Sequence, residues 1–319
     1  MIDRPNRPTA LATTPGLGPQ PQVEFSHENS SVTAILPTGE SVTVLLFGAT
    51  VISWKDNAGN EKLWVSDAAK LDGSKAVRGG IPLVFPVFGT SPDHEATSKL
   101  PQHGFARNSM WEFLGKSASE SSPSTVVSDA SVKLDFGISS ATISDDFKAM
   151  WPYTFSAIYS VTLTPDGLRT NIAITNDGTQ SFECQFLMHT YLRVKDITQV
   201  EITGLEDSEF VDKVGGVQIK SQSGGVTITG ETDRIYTPAK GPMAPVIVNE
   251  EGKPAYTVVR DNLKDVVVWN PWVEKAAGMG DFEPKDGYKN MLCVEAGSVR
   301  GWILLEQGDV LNGAQFISY

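Results

Sequence analysis

Two residues of this sequence are of types that could act together as an acid and a base, and the first is a histidine. The chain contains four histidines: His27, His94, His103 and His189. Over residues 182–193 apolar and polar side chains alternate, and His189 falls with the polar set and not with the phenylalanines. Because imidazole changes charge near neutral pH, a histidine on that face of a strand is suited to proton transfer.

Glu295 is the complementary feature. It lies in the run MLCVEAG at 291–297, where both faces of a strand would otherwise be apolar. An ionised carboxylate is rarely buried without partners, so Glu295 is either part of a structural ion pair or edge position, or a carboxylate held in a functional site. In the second case one carboxylate and one imidazole could perform acid–base catalysis without a cofactor.

Arginines beside glycines form the third feature. Arg78 opens the segment RGGIPLVFPVFG at 78–89, and Arg107 closes the segment QHGFAR at 102–107. An arginine next to glycines that allow close approach of the backbone is suited to bind phosphate or sugar hydroxyls. We expect His94, within the polar segment SPDHE, to be solvated.

The sequence carries no metal or nucleophile motif. Cys184 and Cys293 lie in strand-like apolar runs, and we predict that both are buried free thiols. Neither the cysteines nor the histidines have the spacing of a zinc site, and no Gly-x-Ser-x-Gly segment is present. We therefore expect neither a metal nor a cofactor.

Composition limits the partners. The formal net charge of −12 disfavours nucleic acid and anionic membranes, and an anionic ligand would need a local cluster of basic side chains. Residues 1–21 contain five prolines and predict a disordered tail without the apolar core of a signal peptide. The longest apolar stretch, 42–54, is too short to span a bilayer, so we expect a cytoplasmic protein.

Short apolar runs separated by turn residues predict the fold. The segments 159–164 and 168–175 alternate on either side of Pro-Asp-Gly, which is typical of a strand–turn–strand unit. Repetition of this pattern predicts an all-β sandwich or barrel, with residues 22–319 forming a single domain. We interpret the serine-rich segment 117–131 as an exposed loop or hairpin edge, and 272–290 as a long loop.

Five segments, in this order, resemble the aldose 1-epimerase superfamily, and within it the fungal glucose-6-phosphate 1-epimerases. They are RGGIPLVFPVFG at 78–89, PQHGFAR at 101–107, HTY at 189–191, ETDRIY at 231–236 and CVEAG at 293–297. The resemblance covers roughly residues 22–319. It implies a large antiparallel β-supersandwich like that of galactose mutarotase, with the site in a concave cleft. The segment after Glu295 reads Ala-Gly where the family pattern has Pro-Gly, and we expect this to alter a loop.

The resemblance also implies roles for individual residues. His189 matches the general acid and Glu295 the general base, while substrate contacts map onto Arg78, Gln102, Arg107 and Asp233. His103 matches a second histidine that touches sugar. The expected reaction is interconversion of the α and β anomers of a hexose 6-phosphate, with glucose 6-phosphate as the first candidate. We expect a monomer that uses no cofactor.

We expect Arg78 and Arg107 to hold the phosphate, with Lys275 as a weaker third candidate. A carbohydrate-binding protein on the same fold would use Trp54, Trp269 and Trp272 as stacking platforms. A glycoside hydrolase would need two carboxylates, for which Glu295 and Asp233 are conceivable. A catalytically inactive relative with a regulatory role is the third alternative.

Overall fold

The computed structural model describes residues 20–26, 28, 30–118 and 130–319 of the chain. The tail predicted for residues 1–21 lies almost entirely outside the described residues, as does His27. Most of the serine-rich segment 117–131 also lies outside them; residues 117–118 end one strand, and residues 130–131 immediately precede the strand that pairs with it.

The described residues form twenty-one strands and two short α-helices. The strands are β1 (Gln22–Phe25), β2 (Ser31–Ile35), β3 (Ser41–Leu45), β4 (Thr50–Lys55), β5 (Leu83–Val84), β6 (Glu112–Ala118), β7 (Val132–Ser139), β8 (Phe155–Thr164), β9 (Gly167–Asn176), β10 (Phe182–Met188), β11 (Tyr191–Arg193), β12 (Val200–Thr203), β13 (Glu209–Asp212), β14 (Gln218–Ser221), β15 (Val226–Thr227), β16 (Thr232–Thr237), β17 (Val246–Glu250), β18 (Lys253–Asp261), β19 (Asp265–Asn270), β20 (Met291–Leu305) and β21 (Val310–Ser318). The helices are α1 (Asp145–Met150) and α2 (Trp272–Gly278), and single 3-10 turns occupy Ala106–Asn108, Ile197–Gln199 and Gly287–Asn290.

The strands form three antiparallel sheets. A four-stranded sheet has the order β1-β2-β3-β4, and a nine-stranded sheet has the order β15-β12-β17-β18-β21-β9-β8-β7-β6. An eight-stranded sheet has the order β14-β13-β16-β19-β20-β10-β5, with β11 paired to β20 beside β10. The large sheets share one apolar core, so the predicted all-β supersandwich is confirmed.

The strand β20 explains why the run around Glu295 is apolar on both faces. Val294 and Ala296 point into the core between the two large sheets, whereas Cys293 belongs to a second apolar cluster on the opposite, outer face. Side chains alternate along a strand, so Glu295 projects to that outer face with Cys293. Leu187 of β10 also belongs to the outer cluster, and His189 shares its face.

Three expectations about local structure were wrong. The loop expected at 272–290 begins with the seven-residue helix α2, whose first turn is fixed by the Asn270 side chain accepting from the Trp272 amide at 2.9 Å. His94 is not solvated, because its ring stacks on Trp302 at 3.5 Å between centroids and Nε2 lies 3.0 Å from Glu183 Oε2. The Ala-Gly pair after Glu295 is not a loop, because β20 continues straight through it.

Other expectations are confirmed. The segments 159–164 and 168–175 lie in the paired strands β8 and β9, and both cysteines are buried free thiols. Within the described residues no helix combines the length and the apolar character needed to cross a membrane.

The close approach of Gly104 to Phe85 can be tested by substitution. It has φ +71° and lies against Phe85, so an added Cβ would collide with the Phe85 carbonyl oxygen. Gly89 has φ +69° but nothing within 4 Å of the added Cβ. We expect Gly104→Ala to lower the free energy of unfolding by about 2–5 kcal/mol, and Gly89→Ala by only about 1–2 kcal/mol. Urea unfolding measures both, and equal losses would show that the close approach at Gly104 is not needed.

Candidate functional site

A cavity of about 300 Å³ opens on the outer face of the eight-stranded sheet, away from the core between the large sheets. It is lined by Arg78, Phe88, Gln102, His103, His189, Lys213, Asp233, Val267, Trp269, Lys275, Met279 and Glu295. The structure thus brings together every site residue predicted from the sequence except Arg107. Arg107 lies beside the lining, where its Nη2 donates to the Gln102 carbonyl oxygen at 2.9 Å.

Five neighbouring strands supply one polar or aromatic side chain each. In spatial order, Lys213 directly follows β13, Asp233 lies on β16, Trp269 on β19, Glu295 on β20, and His189 directly follows β10. Asp233 is directly opposite Trp269 in the ladder, so their side chains share one face of the sheet. The antiparallel register therefore collects into one cavity residues that are far apart in the sequence.

His189 and Glu295 face each other because of the register between β10 and β20. Met188 is paired with Ala296, and the same offset places His189 opposite Glu295 at the end of β10. The imidazole Nδ1 lies 3.2 Å from Glu295 Oε1, with relative exposures of 7% for His189 and 1% for Glu295. Among the described residues, neither His189 Nδ1 nor Glu295 Oε2 has a partner that meets hydrogen-bond geometry, so both retain capacity for a ligand.

Burial sets the protonation of this pair. Desolvation lowers the pKa of His189 well below its ordinary value, and the positive charges of Arg107 and Arg78 act in the same direction. Desolvation raises the pKa of Glu295 well above its ordinary value, and the nearby Asp233 carboxylate adds to this effect. Both shifts favour the uncharged forms, so burial opposes the ionised carboxylate and the protonated imidazole.

An aromatic and ionic scaffold supports the His189 ring. Tyr191 stacks on it with 4.7 Å between centroids and 9° between planes. Arg78 Nη1 donates to the Tyr191 hydroxyl at 3.2 Å, while Arg78 Nε donates to Asp281 Oδ1 at 3.2 Å. Arg78 is therefore tied to its neighbours beside the cavity. Asp281, which the sequence reasoning missed, fixes it from the segment after α2.

His103 is held in one tautomer. Its Nδ1 accepts from the Gly89 amide at 3.0 Å, so the hydrogen of the neutral ring is on Nε2. Burial lowers the pKa of His103 well below its ordinary value, and the charge of Arg107 adds to this effect. A neutral ring with Nε2–H is a hydrogen-bond donor in the cavity wall.

Lys213 is a functional candidate that the sequence reasoning missed. Its Nζ lies 3.7 Å from Asp233 Oδ2 and 4.8 Å from the centre of the Phe88 ring. A basic residue at a strand end just before Gly215 and Gly216 is the same signal that drew attention to Arg78, and it could have identified Lys213.

The other two candidate cations differ in how they are held. Lys275 is paired with Glu231 at 2.9 Å. Burial lowers the pKa of Arg107 to about 10, so its guanidinium stays charged at neutral pH. Arg107 Nε has no hydrogen-bond partner in the part of the chain that the structure describes. Arg107 therefore has a buried donor available for an anionic group.

One group of side chains has the composition of a metal site. Single ligand atoms of His189, Cys293 and Glu295 lie within 4.8 Å of one another. Burial raises the pKa of the Cys293 thiol well above its ordinary value, and a protonated thiol is a poor ligand. The expectation that the site uses no metal stays a prediction.

A carbohydrate-binding protein was expected to use three tryptophans as stacking platforms, and the structure does not place all three at the cavity. Trp54 is completely buried in the core and cannot stack on a ligand. Trp269 lines the cavity, and Trp272 packs against Tyr288 with 5.3 Å between ring centroids. Only one of the three thus offers a face to the cavity.

Comparison with known proteins agrees with this geometry. The family model described as aldose 1-epimerase matches residues 30–318. Relatives from Cenchrus ciliaris and Escherichia coli, each named "Putative glucose-6-phosphate 1-epimerase", are 35% and 34% identical; the matches cover 85% and 78% of this chain and 78% and 77% of theirs. A crystal structure of a "putative mutarotase" from Salmonella typhimurium aligns with a TM-score of 0.74 at 27% identity, covering 95% of this chain and 94% of that one. The chain belongs to the aldose 1-epimerase family.

Proposed function

We propose that this protein interconverts the α and β anomers of a hexose 6-phosphate, with glucose 6-phosphate as the first candidate substrate. The observation that carries the proposal is the buried pair of His189 and Glu295, 3.2 Å apart in a polar cavity. The names of the most similar relatives support the choice of substrate.

Mutarotation needs one proton removed and one proton supplied. Glu295 takes the proton from the C1 hydroxyl, the C1–O5 bond breaks as the C1–O1 bond becomes a carbonyl, and His189 gives a proton to O5. The ring recloses on the other face of C1 by the reverse transfers. The reacting pair starts as an ionised Glu295 and a protonated His189 and holds one proton before and after ring opening, so turnover needs no proton from solvent. Ring opening leaves a protonated carboxyl and a neutral imidazole, which are the forms that burial favours.

The open-chain sugar must rotate about C1–C2, so the site has to hold the other end of the molecule. Arg107 and Lys213 are the best candidates to bind a phosphate: Arg107 Nε has no hydrogen-bond partner among the described residues, and the ion-pair contact of Lys213 with Asp233 is long, at 3.7 Å. Arg78 adds positive charge beside the pair while being tied to Asp281. This local cluster offsets the overall charge of −12, which by itself would repel the substrate.

The remaining polar side chains suit the sugar hydroxyls. Asp233 offers acceptors, His103 Nε2–H is a donor, and the Gln102 amide supplies both. Trp269 offers an apolar face to the sugar ring.

Removing either member of the pair should nearly abolish exchange. We expect His189→Ala and Glu295→Gln each to lower kcat by about 10²- to 10⁴-fold, because each deletes one positioned proton transfer. Polarimetry or exchange NMR on glucose 6-phosphate measures the rate, and circular dichroism checks that the fold is retained. If either variant stays within a few-fold of wild type, the role given to that residue is wrong.

Arg107→Ala should separate phosphorylated from plain sugar. Loss of a charge-assisted contact should lower kcat/KM for glucose 6-phosphate by about 10- to 100-fold, with less than about threefold change for glucose. The matched control is Arg169→Ala, which removes an exposed arginine packed on Phe316. Equal losses on the two sugars would contradict a phosphate contact.

The raised pKa of Glu295 predicts a pH-dependent gain in stability for Glu295→Gln. Between the ordinary carboxyl pKa of 4.5 and the higher pKa in the folded protein, Glu295 is protonated in the folded protein and ionised in the unfolded chain. Wild-type stability therefore falls as pH rises above that value, by up to about 1.4 kcal/mol per pH unit, and the glutamine variant avoids this loss. Chemical unfolding from about pH 5 to about pH 8 should show a widening advantage for Glu295→Gln. The control is Glu306→Gln, at an exposed carboxyl. An advantage that stays constant or shrinks would contradict the desolvated carboxyl.

A further inference from the structure

A row of buried polar side chains crosses three adjacent strands of the nine-stranded sheet. Thr170 on β9 is directly opposite Gln315 on β21, and Gln315 is directly opposite Arg260 on β18. Their relative exposures are 1%, 1% and 0%. The neighbours along these strands that point the same way are apolar, such as Ile172, Ile317 and Val258, so the row interrupts the core between the two large sheets.

Two members of this row contact the residues on either side of His189. Gln315 Nε2 donates to Thr190 Oγ1 at 3.0 Å, and Thr170 Oγ1 donates to the Met188 sulfur at 3.0 Å. Met188 and Thr190 thus point to the opposite sheet and are held there. His189 lies between them and points the other way, into the cavity.

The backbone at His189 leaves the regular ladder at this point. The Thr190 amide donates to the Met188 carbonyl at 2.9 Å, which closes a three-residue γ-turn centred on His189. The His189 amide donates to Pro82 at 2.9 Å, and the Thr190 carbonyl accepts from the Val294 amide at 3.2 Å, next to Glu295. The shape of this turn decides where the imidazole points relative to the carboxyl group.

We propose that Thr190 and Gln315 are positioning residues that fix the His189 turn from the opposite sheet, an inference that rests on the proposed function. A buried hydrogen bond between side chains can often be replaced by apolar groups of the same shape at little cost in stability. A gain in stability therefore does not explain why this bond lies beneath the His189 turn. Orientation of the His189 ring does explain it, since a displacement of about 1 Å of a catalytic group can cost about 10²-fold in rate.

The test is a matched pair of substitutions at Thr190. Thr190→Val keeps the shape and removes the hydroxyl, and we expect kcat for anomer exchange to fall by about 10- to 100-fold while KM stays within about twofold. Thr190→Ser restores the hydroxyl and should stay within about threefold of wild type. Gln315→Met should reproduce most of the loss, and the double variant Thr190→Val/Gln315→Met should lose no more than Thr190→Val alone, because both substitutions break the contact between Thr190 and Gln315. Thr190→Val also removes a longer contact, 3.4 Å, between its hydroxyl and the Met188 carbonyl oxygen.

Two readouts separate positioning from a general loss of stability. Ile317→Ala empties a core position two residues beyond Gln315 on the same face of β21, and it should lower Tm without changing kcat. The imidazole nitrogen NMR signals of His189, assigned by their absence in His189→Ala, should shift or broaden in Thr190→Val and Gln315→Met. They should match wild type in Ile317→Ala and Thr190→Ser.

The outcomes distinguish this inference from the proposed function. If wild type does not accelerate anomer exchange, the proposed function fails, and the imidazole signals alone decide whether the bond orients His189. If wild type is active but Gln315→Met keeps wild-type kcat and wild-type His189 signals, the positioning role is overturned. Should Thr190→Val not fold, the same comparison is made between Gln315→Met and Ile317→Ala.

Discussion

The desolvated contact between His189 and Glu295 is the interaction on which the rest of the site depends. Two ionisable groups are buried in one cavity wall, and burial lowers the pKa of His189 and raises the pKa of Glu295. Both shifts favour the uncharged forms. In the proposed reaction the pair keeps one proton, which is on His189 before ring opening and on Glu295 after it.

The sheet makes this arrangement possible because β20 is covered on both of its faces. One face packs against the nine-stranded sheet and carries Val294 and Ala296, while the other carries Cys293 and Glu295 toward the cavity. Lys213, which follows β13, and Arg107, in the 3-10 turn Ala106–Asn108, lower the pKa of Glu295, but desolvation and the Asp233 carboxylate raise it, and the net shift is upward. The local excess of basic side chains arises within an acidic chain because the fold brings Arg78, Lys213 and Lys275 from separate segments to one cavity.

Sequence reasoning predicted the features that depend on local pattern. Strand alternation placed His189 on the face away from the phenylalanines, and the apolar run around Glu295 marked a strand buried on both sides. Asp281 and Gln315 were missed because their importance comes from partners in distant segments that alternation does not reveal, whereas Lys213 was missed although two glycines follow it closely, as they do Arg78. The helix α2 and the packed His94 were mispredicted for the same reason, since Asn270 and Trp302 stabilise them through contacts that spacing does not show.

In the proposed function the buried pair, the basic cluster and the cavity act as one site for a phosphorylated sugar. The most direct test of this proposal is the rate of exchange between the α and β anomers of glucose 6-phosphate, measured by two-dimensional exchange NMR with and without the wild-type protein. We expect exchange far faster than in buffer, and faster for glucose 6-phosphate than for glucose at equal concentration. An exchange rate equal to that in buffer for both sugars would contradict it.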